Sequence, residues 1–104
     1  MNSSAIFVSE LIRAANQIDK VSVSEVRLLL QRSIVTVRDL RYEAGIPVDG
    51  TPEDALVRLK LVSEECEGLK QGERADALLK AADLIRTLGI LVDSGTYVSV
   101  RPVD

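Results

Sequence analysis

A chain of 104 residues, 46% apolar and 28% charged, is sized for one domain with a modest single core and is too apolar to be disordered. Its net charge is −3, and the acidic excess lies in one half: residues 1–52 carry six basic and six acidic side chains, residues 53–104 seven and ten. That balance, with aromatics at 3%, argues against phosphate neutralisation and base stacking, and the absence of histidine removes Ser-His-Asp and Cys-His nucleophiles and most zinc sites.

The opening stretch MNSSAIFVSELIR has no basic leader, and Ser9 and Glu10 interrupt its apolar run, so it does not read as a signal peptide. With a single cysteine, Cys66, and no apolar run of membrane-spanning length, the expected location is cytoplasmic. Val8, Leu11, Ala15 and Ile18 recur at helical spacing, which predicts a first helix over about 4–18.

The second helix is the most clearly punctuated. Ser22 with Glu25 three residues on forms a capping box, and Val21 and Val26 occupy the flanking staple positions. Gly45 supplies a left-handed residue past the end, and Pro47 prevents continuation, so the helix is bounded to 23–44. With Val23 at heptad position a, the a and d positions are Val23, Val26, Leu30, Ser33, Val37, Leu40 and Ala44, a seam that faces a core. A further apolar column, Leu28, Val35 and Tyr42, repeats every seven residues at f, nearly opposite that seam. Leu29 at g and Ile34 at e widen it. A helix apolar on two sides is either wrapped by its own chain or covered by another. Arg27, Arg32, Arg38 and Arg41 flank the column and fit either a polar interface rim or a solvated face.

A third helix is expected over 52–67, with Thr51 as cap, Pro52 in the first turn, and an inward seam of Ala55, Leu59, Val62, Cys66 and Leu69. Carboxylates at 64, 65 and 67 surround Cys66; they disfavour a thiolate, and a buried structural cysteine is expected. Consecutive helical acids do not converge on one point, so no metal site is expected there. A fourth helix over 73–88 carries Leu78, Ala81, Ala82, Ile85 and Leu88 inward, with Asp76 and Lys80 as an i,i+4 pair and Gly89 as a stop. After Gly89 the period falls to two, and 90–101 is expected to be a short β-hairpin or extended tail with Val98 and Val100 on one face and Tyr97 on the other.

The stretch LIRTLGILVDSGTYVSVRP resembles the end of the winged-helix domain of GntR-like regulators. There a helix ending in Leu-x-x-x-Gly-Leu/Ile leads to a hairpin closing on Gly-Thr-Phe/Tyr-Val. The matching residues are Leu84 or Ile85, Gly89, Ile90, Gly95, Thr96, Tyr97 and Val98, under a fifth of the chain. The resemblance implies a DNA-binding transcriptional regulator. Against it, Glu73, Asp76 and Asp83 stand where a recognition helix presents basic or hydroxyl side chains, and the wing is short.

The residues therefore point to one all-α domain, a four-helix antiparallel bundle with a short C-terminal β-hairpin or extended tail. The expected function is a small regulatory or adaptor protein that works by protein–protein contact, as a homodimer, with no catalytic, metal or cofactor residues. Its expected interface is Leu28, Leu29, Arg32, Val35, Tyr42, Tyr97 and Val98, the last two on a strand able to dock by β-augmentation. A winged-helix-like DNA-binding regulator is the alternative.

Overall fold

The computed structural model describes residues 3–46 and 54–94, and these fold as an all-helical bundle. In chain order the helices are α1 (Ser3–Asn16), α2 (Val23–Ala44), α3 (Ala55–Glu64) and α4 (Gln71–Asp93). Single 3₁₀ turns over Ile18–Lys20 and Cys66–Gly68 prepare the chain for α2 and α4.

The boundaries of α2 follow from local chemistry. Glu25 donates its backbone N–H to the Ser22 hydroxyl at 3.1 Å, and that hydroxyl in turn donates to the Glu25 carboxylate at 3.2 Å. The box thus closes through the two side chains, and the Glu25 carboxylate does not reach back to the Ser22 N–H as the sequence pattern suggests. At the other end Gly45 adopts φ 75°, and its N–H donates to the carbonyls of Arg41 and Tyr42. This conformation is open to glycine at little cost.

Three expectations change. The cap of α3 is Asp54, whose Oδ1 accepts the N–H of Leu56 at 2.8 Å, and the helix ends at Glu64, so Cys66 lies in the 3₁₀ turn and not on a helix reaching 67. The helix is also rotated from the expected seam. Leu56, Leu59 and Ser63 are buried, while Ala55, Val62 and Leu69 are half-buried at its edge. The third change is at α4, which begins two residues early and runs through Gly89 to Asp93. Ile90, Leu91 and Val92, expected to open a hairpin, are therefore helical, and no strand occurs among the described residues. Gly89 is buried in the helix interior and does not stop it. The turn that the GntR-like pattern requires at this glycine is thus replaced by helix. Tyr97, Val98 and the rest of the 95–104 run lie outside the described residues.

Packing places α4 at the centre. Small residues at Ala77, Ala81, Ala82 and Gly89 let neighbours approach, while Leu78, Ile85 and Leu88 fill the space between them. α1 lies against α4, α4 against α2, and α2 against α3, whereas the sequence neighbours α1 and α2 meet sparsely, as do α3 and α4. Contacts at the helix ends fix the directions. The start of α2 reaches the end of α3 through Arg27, and its own end reaches the start of α3 through Arg41, so those two are antiparallel. Cys66, just before α4, lies by Val23, while Leu40 and Glu43 share a hollow with Gly89 and Val92, so α2 and α4 run parallel. The core joins Phe7, Val8, Leu11, Val26, Leu30, Val37, Leu56, Leu59, Leu78 and Ile85. The Cα envelope measures 52 × 32 × 16 Å, a flat body in which most helices keep one open side. No helix among the described residues is long and apolar enough to cross a membrane.

Candidate functional site

The two sides of α2 separate cleanly. Its a/d seam is buried at Val26, Leu30, Ser33, Val37 and Ala44, with Val23 and Leu40 half-buried at its ends. Ser33 satisfies its hydroxyl within the helix by donating to the Leu29 carbonyl at 2.8 Å, so the one polar member of the seam leaves no unpaired group in the core. On the opposite side Leu28 is 59% exposed, Val35 46% and Tyr42 88%. Leu29 and Ile34 are half-buried and pack on the core, so the column narrows to Leu28, Val35 and Tyr42.

The expected arginine rim is largely spent inside the chain. Arg27 donates to the Ser63 carbonyl at 3.3 Å and pairs with Glu67 at 3.4 Å, tying α2 to the end of α3. Arg41 pairs with Asp54 at 2.8 Å, with side chains only 11% and 4% exposed. These two act as clamps on α3, and neither belongs to the outward face. Arg32 does belong to it. Its two terminal nitrogens reach both Glu10 carboxylate oxygens at 3.2 and 3.4 Å, and its guanidinium lies 4.4 Å from the centre of the Phe7 ring. This one side chain bridges the gap between α1 and α2, beside a hollow lined by Leu28, Leu29, Glu10, Arg13 and Gln17. It remains half exposed. Arg38 and Asp39 are both exposed and have no hydrogen bond or ion pair among the described residues; Asp39 lines the hollow that Phe7, Leu40, Gly89 and Val92 share.

A second apolar surface lies elsewhere and was not singled out in the sequence. Because α3 and α4 scarcely touch, a groove of about 760 Å³ opens between them, lined by Leu59, Val62, Leu69, Ala77, Leu79 and Leu84. Leu59, Val62 and Leu69 read as a core seam from spacing alone, and the groove follows from a helix arrangement that spacing does not encode. The charges along it are used locally: Lys80 pairs with Asp76 at 2.9 Å, as expected, and Asp83 pairs with Arg86 at 2.9 Å. Nothing in the groove identifies an occupant.

Cys66 is fully buried. Burial pushes its thiol upward, against the pull of Arg74 and Arg27, with Glu67 adding to the rise. Sequence spacing does not place these arginines beside the thiol, and desolvation outweighs them. Arg74 donates to the carbonyls of Leu69 and Cys66, holding the turn that carries the thiol. A protonated, enclosed sulfur has neither the charge nor the access of a nucleophile. Among the described residues no three of Asp, Glu, Cys or His gather as a metal site. Comparison with family models, curated proteins and solved structures finds no match to the chain.

Proposed function

We propose that the chain is a small regulatory or adaptor protein that acts by protein–protein contact, as a homodimer, through the outward face of α2. One observation carries this reading: Leu28, Val35 and Tyr42 form a heptad column of large exposed apolar side chains on a helix whose opposite seam is buried. Keeping such a column in water forgoes apolar burial worth roughly 1.5–3 kcal/mol for each aliphatic side chain. Apolar stripes of this kind mark contact surfaces more often than bare monomer surface. A column on a helix held at both ends by ion pairs to α3 is also rigid, so docking on it orders little that was not ordered before.

Light scattering at tens of micromolar tests it. The wild type is expected at twice the chain mass, and Leu28→Glu with Val35→Glu at the monomer mass with unchanged helicity. A wild-type monomer removes the homodimer. Loss of helicity in the double variant makes the column part of the core and overturns the reading altogether.

A further inference from the structure

We draw no further inference here: the strongest candidate, the apolar groove between α3 and α4 lined by Leu59, Val62, Leu79 and Leu84, carries none because nothing in the structure shows what covers it.

Discussion

The two long helices, α2 and α4, have nearly the same length, 22 and 23 residues, and run parallel, yet they distribute apolar surface differently. α4 is the more enclosed. It spends small side chains, Ala77, Ala81, Ala82 and Gly89, on close approach to its neighbours, and pairs the charges of its open side with one another. α2 buries one seam and holds Leu28, Val35 and Tyr42 in solvent, with Asp39 and Arg38 unpaired among the described residues. α4 is not fully covered either: Leu79 and Ile90 are exposed, but they stand eleven residues apart and form no column. What separates the two helices is the heptad spacing of the exposed apolar side chains on α2, not exposure as such.

Substitutions can break that contrast at graded cost. The largest effect is expected at the clamp that seats α3 on α2. Asp54→Ala strands Arg41 in a buried position and removes the α3 cap, for a loss of about 3–5 kcal/mol in urea unfolding. Next, Leu78→Ala in α4 is expected to cost about 2–5 kcal/mol, whereas Leu28→Ala in α2, measured in dilute monomer, stays within about 0.5 kcal/mol. A Leu28→Ala loss as large as that of Leu78→Ala would erase the distinction between the helices. Ser22→Ala is expected to cost about 1 kcal/mol and to fray only the first turn of α2, visible in amide exchange. The smallest effect concerns Cys66, whose raised thiol is expected to resist maleimide in the folded state. The unfolded chain ionises this thiol first, so its contribution to stability is full below the ordinary thiol range of about 8.5 and falls as pH climbs through it. Comparing Cys66→Ala with wild type between pH 7 and about 10 checks the sign.

The legible parts of this fold are those with local causes. Ser22, Glu25 and Gly45 bound α2 because caps act within four residues, and the split between its buried seam and its exposed column follows from a period of seven. Gly89 misled because a glycine stops a helix through a left-handed conformation, and among the described residues only Gly45 has positive φ. Gly89 instead sits where α1 meets α4, beside Ser4, Ala5 and Val8, a tertiary role that no neighbouring residue announces. Thr51 was a reasonable cap by type, but Asp54 also receives Arg41, and the combined cap and ion pair fixes the start of α3. Arg27 and Arg41 were misread for the same reason: their partners, Glu67 and Asp54, are 40 and 13 residues away. The candidate site was legible as a column of three residues, whereas which of its flanking charges are taken within the chain depends on partners distant in sequence.

The parallel course of α2 and α4 has an electrical consequence. Each helix behaves as a dipole with about half a positive charge at its start and half a negative one at its end. Because α2 and α4 point the same way, their two starts lie at one end of the body and their two ends at the other. Glu25 and Glu73, in the first turns of α2 and α4, temper the positive charge gathered where the two starts lie.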